Sequence, residues 1–289
     1  IVISAIEHDA VFAHAPQLGG ALKIAPVTAD GVIDLDAFAR ILADAPKPVL
    51  AVLMLANNET GVIQPIANAA ALVREAGGLL LVDAAQAIGR MRVSIADLDA
   101  SYLVISSHKI GGPPGAGALV LAPGAPFAPP RAGGGQERGR RPGTENAPAL
   151  SGFGVAAETA AANAQHEANR LKVLRDRFEA ELPREAIIFG ARVARTANTS
   201  LFALPGVRAE TAVIALDLEG VCVSSGAACS SGKVRQSRVL AAMGVDDALA
   251  KGALRVSFGW SSTDADVDAA AAAVRKLAAR YAPQLEGAA

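Results

Sequence analysis

The stretch Tyr102–Leu121, YLVISSHKIGGPPGAGALVL, sets a lysine at the end of an apolar run and follows it at once with glycines and prolines. Tyr102–Ser106 reads as a strand, Ala118–Leu121 as another, and the Gly/Pro cluster between them as a sharp turn. Lys109 therefore falls neither in a strand core nor on a helix face. It sits just past a strand's carboxyl end, and its meaning depends on what ends the other apolar runs.

Those runs are Ile1–Ala5, Val49–Ala56 and Leu79–Val82, each bounded by turn signals. Between the last two lies QPIANAAALVREAGG, where Ile66, Ala69, Ala70 and Val73 share one helical face. Pro65 suits the first turn of that helix and Gly77 closes it. Strand, helix and strand with apolar runs buried on both faces argue an α/β fold with a mostly parallel sheet. The chain begins inside a strand, with no turn or helix before it.

Beyond Leu121 the alternation stops. The segment PPRAGGGQERGRRPGTEN, residues 129–146, is rich in Gly, Arg and Pro, and a long helical stretch follows from about Ala147 to Leu182, ended by Pro183. The remainder mixes strands (NTSLFALP, VCVSS, ALRVSF) with helices, which predicts a smaller α+β unit. Its last helix carries Val267, Ala271, Val274, Ala278 and Tyr281 on one stripe, with Thr263 as N-cap and Asp264 and Asp266 in the first turn. Two domains are expected, a large one over 1–165 and a small one over 166–289, divided inside the long helix.

At 289 residues the chain can bury a sizeable core. A net charge of −1 supplies no field toward nucleic acid or an anionic membrane. The longest uncharged apolar run, PVLAVLMLA, is far shorter than the ~20 residues of a membrane-spanning helix. The first residues lack a basic n-region and a cleavage site, so no signal peptide is expected. Two cysteines, Cys222 and Cys229, make no disulfide framework, and a reducing cytoplasmic setting fits best.

In open parallel sheets, ligands bind outside the carboxyl ends of the strands. Here those ends supply Glu7 and His8; Asn57, Asn58 and Glu59; Asp83 and, shortly after, Gln86; and Ser106, Ser107, His108 and Lys109. Singly, each is ordinary: a lysine after a strand is usually solvated, an aspartate there is often a turn former, and an Asn pair makes turns. Together they offer an amine, a carboxylate, an imidazole, amides and hydroxyls to one crevice. That set suits pyridoxal phosphate (PLP), which needs a lysine amine and a carboxylate to keep its ring nitrogen protonated. No metal is called for.

The segments NNETGVIQPI, LVDAAQAIG, SSHKIGGPPGAGAL, GGGQERGRRPGTEN, SSGAACSSG and ALRVSFG, in that order, closely resemble those of cysteine desulfurases of the NifS/IscS group. These are class V, fold-type I PLP-dependent enzymes, and the resemblance runs from residue 1 to about 285. It implies that Lys109 is the Schiff-base lysine, Asp83 the partner of the pyridinium nitrogen and Gln86 the donor to the phenolic oxygen. It also implies that His8 stacks on the cofactor ring and that Ser106 and His108 hold phosphate. Thr144 would reach the phosphate of a neighbouring subunit, making a homodimer, and Asn58 and Arg255 would lie near the substrate carboxylate. A guanidinium fork suits bidentate carboxylate binding. Family members carry a further stretch before IVISAIEH, including a Gly/Thr phosphate loop, that is not in this sequence.

Cys229 lies among glycine, alanine and serine in SSGAACSSGK, which reads as an exposed loop. The resemblance makes it the nucleophile that takes sulfur from cysteine and keeps it as a persulfide; a thiolate must make that attack. Cys222 alternates with valines and is expected in a strand core. Arg131, Arg138, Arg140 and Arg141 read as a solvated or dimer-contacting loop, too narrow for nucleic acid. The expected activity is conversion of L-cysteine to L-alanine with sulfur passed to an acceptor or iron–sulfur scaffold protein. Selenocysteine lyase, another class V aminotransferase activity, and a cofactor-free scaffold subunit are the alternatives.

Overall fold

The computed structural model describes residues 1–129, 131–226 and 237–286. Its larger sheet has six strands, β1 (Val2–Ser4), β2 (Lys23–Ala25), β3 (Leu50–Met54), β4 (Leu79–Asp83), β5 (Tyr102–Ser106) and β6 (Gly117–Leu121), in the order β2-β1-β3-β4-β5-β6. The first five are parallel and β6 returns antiparallel beside β5, so the sheet is mostly parallel as expected. Strand β2 is an addition: LKIAP carries a charge at its start and is too short to show a period.

Two helices cover this sheet. Leu35–Asp44 begins at Asp34, whose Oδ1 accepts the Ala37 N–H at 2.9 Å, and it buries Phe38 and Leu42. Ile66–Glu75 buries Ile66, Ala69, Ala70 and Val73, the face read from the sequence. Pro65 is its N-cap rather than its first helical residue, a shift of one position that its missing N–H accommodates equally well. Leu53, Leu80 and Val82 meet these side chains in the main core.

The smaller sheet comprises β7 (Ile187–Ile188), β8 (Thr199–Ala203), β9 (Ser224–Ser225) and β10 (Ala253–Ser257), antiparallel in the order β7-β8-β10-β9. Strand β8 is buried throughout. The long helix Ala147–Ala180 runs past both sheets. Its first half meets the turn after β5, and its second half sends Leu171, Leu174 and Phe178 into the second core. There Phe178 packs edge-on against Phe202 and Phe258, with ring centroids 5.8 and 5.9 Å away. The C-terminal helix Asp264–Glu286 lies against it, and Arg177 pairs with Asp264 and Asp268 across the contact.

A third cluster joins the two halves. Ile6 and Met54, at the carboxyl ends of β1 and β3, pack with Leu201, Ala203, Val239 and Leu240. The carboxyl ends of β1 and β3 are thereby covered by β8 and the helix Arg238–Ala242. Cys222 departs from expectation: it is exposed and precedes β9, because pairing with β10 begins only at Ser224. Alternating valines indicated a strand but not where its partner starts.

Candidate active site

Parallel register gathers the expected groups at one edge. Met54 lies opposite Asp83, and Asp83 opposite Val104, so β3, β4 and β5 end together. Leu55 N–H donates to the Asp83 carbonyl at 2.8 Å, and Ala84 N–H to that of Val104 at 2.9 Å, which carries the pairing one residue past the strands. The half-buried Asp83 carboxylate accepts the Ala85 N–H through Oδ1 at 2.9 Å. Its Oδ2 has no hydrogen bond among the described residues.

After β5 the chain makes a tight 3-10 turn, Ser107–Ile110, which carries His108 and Lys109. Gly111 closes it with a positive φ of 85°, a conformation that costs glycine nothing. This answers why glycine follows the lysine: the turn brings β6 back antiparallel, and Lys109 remains at the mouth of the strand. Lys109 is half-buried, and its ammonium group has no ion-pair or hydrogen-bond partner among the described residues. Ser106 Oγ and His108 Nδ1 share a hydrogen bond of 3.0 Å. Gln86 accepts an Arg90 N–H at 2.8 Å through Oε1, which leaves its amide N–H groups available to an acceptor in the crevice.

His8 caps the short helix Asp9–Phe12, its Nδ1 accepting the Ala10 N–H at 3.1 Å. The imidazole's other nitrogen is left as its donor. The residue before it, Glu7, lies just past the end of β1. Its carboxyl is 3% exposed. Oε1 accepts the Ser4 hydroxyl at 2.5 Å and the Met54 N–H at 2.9 Å, while Oε2 is buried without a partner. Burial above all, with a small push from the Asp83 charge, raises its pKa from 4.5 to about 8, so Glu7 is a neutral acid at pH 7.

The turn Asn57–Gly61 is built around the Asn57 side chain. Its Oδ1 accepts the N–H groups of Glu59 and Thr60, and its amide donates to the Ile6 carbonyl at 3.2 Å. Gly61 has φ 74°, and a Cβ there would stand 2.8 Å from Thr196 Oγ1. The turn thus presents Asn58, whose carbonyl accepts an Arg255 N–H at 2.7 Å from β10. Arg255 Nε is buried with no partner. A buried cationic donor without a partner fits an anionic ligand. Glu59, next along, accepts the Ser237 hydroxyl at 2.5 Å, and burial raises its pKa to about 7. Arg90 is a further cation of this region that sequence reading passed over, its pKa lowered by burial and then by Arg255 nearby. A charged residue inside a turn carries no sequence signal of burial.

Thr144 is exposed on the segment before the long helix, as are Arg131, Arg138, Arg140 and Arg141. Arg138, Arg140 and Arg141 border an open cleft with Leu119, Phe127 and Phe153, which also reaches Ala116 and Gly117, the backbone partners of Ser107 and Ser106 at the end of β5. Cys229 lies outside the described residues.

The donors at the strand ends fit pyridoxal phosphate. Lys109 offers an unpaired amine, Asp83 an unpaired carboxylate oxygen, Gln86 an amide donor, and Ser106 with His108 a hydroxyl and an imidazole. When bound, that cofactor supplies an electron-withdrawing ring for bonds at an amino acid's α-carbon.

The comparisons agree with this chemistry. The family model described as aminotransferase class V matches residues 1–270. A cysteine desulfurase of Bradyrhizobium diazoefficiens is 41% identical over 285 residues, covering 97% of this chain and 72% of that one. The cysteine desulfurase NifS of Azotobacter vinelandii is 35% identical, over 93% of this chain and 68% of the other. Among solved structures, a NifS-like protein from Rickettsia africae superposes with a TM-score of 0.89 at 33% identity, over 96% of this chain and 74% of that one. The chain belongs to the class V aminotransferase family of PLP-dependent enzymes, in its cysteine desulfurase group.

Proposed function

We propose that the chain acts on L-cysteine, releasing L-alanine and leaving the sulfur on Cys229 as a persulfide. The observation that carries this reading is the position of Lys109 and Asp83 at the carboxyl ends of the paired strands β5 and β4, each with an unpartnered polar group. Atoms balance without an oxidant: the Cβ–S bond breaks, an S–S bond forms, and the Cys229 thiol proton replaces sulfur on the product.

In this reading Lys109 anchors the cofactor and Asp83 holds its ring nitrogen cationic. Gln86 donates to the phenolic oxygen, His8 covers the ring face, and Ser106 and His108 hold the phosphate. Arg255 and Asn58 receive the substrate carboxylate; the buried, unpartnered Nε of Arg255 supports this, because an anion there would satisfy it. Thr144 serves the neighbouring subunit of a homodimer, and its exposure is what such a role requires. The persulfide is passed to an acceptor or iron–sulfur scaffold protein, or used for thio-modification. A reducing cytoplasm keeps the thiol free. Among the described residues no helix is long and apolar enough to cross a membrane.

Titrating the chain with PLP, reducing with borohydride and locating the label tests the assignment. An adduct on Lys109 is expected. No adduct at any PLP concentration would leave a scaffold subunit in its place.

A further inference from the structure

The turn after β4 grips Gln86 from within. Arg90 Nη1 donates to the Gln86 side-chain Oε1 and to the Gln86 carbonyl, both at 2.8 Å. The backbone between the two residues is set by Ala87 N–H on the Ala84 carbonyl at 2.9 Å and by Arg90 N–H on the Ala87 carbonyl at 3.0 Å. Gly89 has φ 74°, and a Cβ there would stand 3.1 Å from Ile110 Cγ2 and 3.3 Å from Ala160 Cβ. The turn is therefore packed against the residue that follows Lys109 and against the long helix.

Arg90 is half-buried, and among the described residues no carboxylate pairs with it. Two neutral acceptors return less to a guanidinium than a carboxylate would, so stability alone is a weak reason for the contact. Its chemistry does decide which way the Gln86 amide faces. A primary amide has an acceptor oxygen at one end and N–H donors at the other, and half a turn about its last bond exchanges them. A guanidinium carries donors only. The end of Gln86 that meets Arg90 must then be oxygen, and the N–H end is left for another acceptor.

We propose that Arg90 is a positioning residue for Gln86: by donating to Oε1 it selects the amide orientation that offers N–H, and not oxygen, to the phenolic oxygen of the cofactor. The proposal rests on reading Gln86 as the donor to that oxygen. An inverted amide would set its carbonyl dipole against a negative oxygen. An N–H there favours the unprotonated form of the phenolic oxygen, so it lowers the pH at which PLP held on Lys109 gives up its proton. Glu7, His8, Asp83, His108 and Arg255 are the other titratable or charged groups at these strand ends, and the charge of Arg255 bears on Arg90 directly. None of them changes in the variants that follow.

The full chain is loaded with PLP, and the pH midpoint of the absorption change of the Lys109-bound cofactor is measured. Arg90→Met keeps the stem and loses the donors. Arg90→Lys keeps a donor and the charge; one nitrogen makes both bonds to Gln86, so an ammonium can make them too. Gln86→Ala is expected to raise the midpoint by roughly one pH unit, Arg90→Met by at least half as much, and Arg90→Lys by less than Arg90→Met. Added to Gln86→Ala, Arg90→Met should raise it no further than about 0.2, because an effect carried by Gln86 disappears with that side chain, whereas a charge acting through space persists. A parent-like midpoint in Arg90→Met, a lysine variant no nearer the parent than the methionine one, or additive effects in the double variant would each overturn the proposal. A parent-like midpoint in Gln86→Ala would remove Gln86 from the phenolic oxygen, and the proposal would fall with that reading. The grip itself is measured without cofactor by NMR relaxation of the Gln86 side-chain amide, ordered in the parent and with an order parameter below ~0.6 in Arg90→Met. An amide equally ordered in that variant would overturn the proposal whether or not the chain takes up PLP.

Discussion

Glu7 holds Met54: a fully buried carboxyl accepts the Met54 N–H at 2.9 Å and so ties the end of β1 to the end of β3, one strand from Asp83. Met54 is the register partner of Asp83, so this bond helps fix where the strand end that carries Asp83 sits.

A pH dependence follows from that burial. The folded pKa of Glu7, about 8, lies above its ordinary 4.5, so the native state holds a proton that the unfolded chain has released between these values. The contribution is fully present below about pH 4.5 and falls as pH rises, until it is lost above about pH 8. Glu59, raised to about 7, adds the same sign over the lower part of that range. Urea midpoints should therefore decline from about pH 5 to about pH 8, and Glu7→Gln should flatten the upper part of the decline. A variant with the wild-type slope would show that Glu7 does not carry it.

Asp83→Asn keeps the shape of the side chain and the acceptor of the Ala85 N–H but loses the negative charge. An amide cannot hold a ring nitrogen cationic. Turnover of L-cysteine should fall roughly hundredfold or more, while borohydride should still fix PLP to Lys109. A kcat within a few-fold of wild type would remove Asp83 from its role.

The large sheet was legible because β3, β4 and β5 are continuous apolar runs with polar groups at one end, and the helix Ile66–Glu75 shows its buried face by period alone. Lys109 and Asp83 stand out in the sequence for the same reason, as polar groups just past such runs, with Gln86 and His8 close behind; the roles proposed for all four come from the resemblance to the family. Other features depend on contacts far apart in sequence. Strand β2 exists because β1 pairs with it, and its own residues are exposed at Lys23 and Ile24. Cys222 shares its alternation with true strand residues, but only the β10 partner decides where pairing starts. The Glu59–Ser237 bond spans most of the chain, and neither residue announces it.

Arg255→Lys should separate binding from turnover. The guanidinium bonds the Asn58 carbonyl through Nη1 and keeps Nε buried for a second acceptor, a fork that a single ammonium cannot reproduce. KM for L-cysteine should rise roughly tenfold, with a smaller fall in kcat. Substrate-saturation curves decide it; an unchanged KM would place the substrate carboxylate elsewhere.

Cysteine replacement separates a sulfur transferase from its neighbours in the family. A serine hydroxyl at position 229 cannot take up sulfur as a thiolate does, so Cys229→Ser should release no sulfide from L-cysteine above the background without enzyme, while PLP remains reducible onto Lys109. Cys222→Ser is the internal control: Cys222 is exposed and outside the strand pairing, and its loss should leave sulfide release at the wild-type rate. Selenide release from selenocysteine should survive Cys229→Ser if the thiol serves only to receive sulfur, because selenolate is the better leaving group. Sulfide release at the wild-type rate from Cys229→Ser would mean that no thiol at this position takes part, and the persulfide reading would then be wrong even with Lys109 labelled.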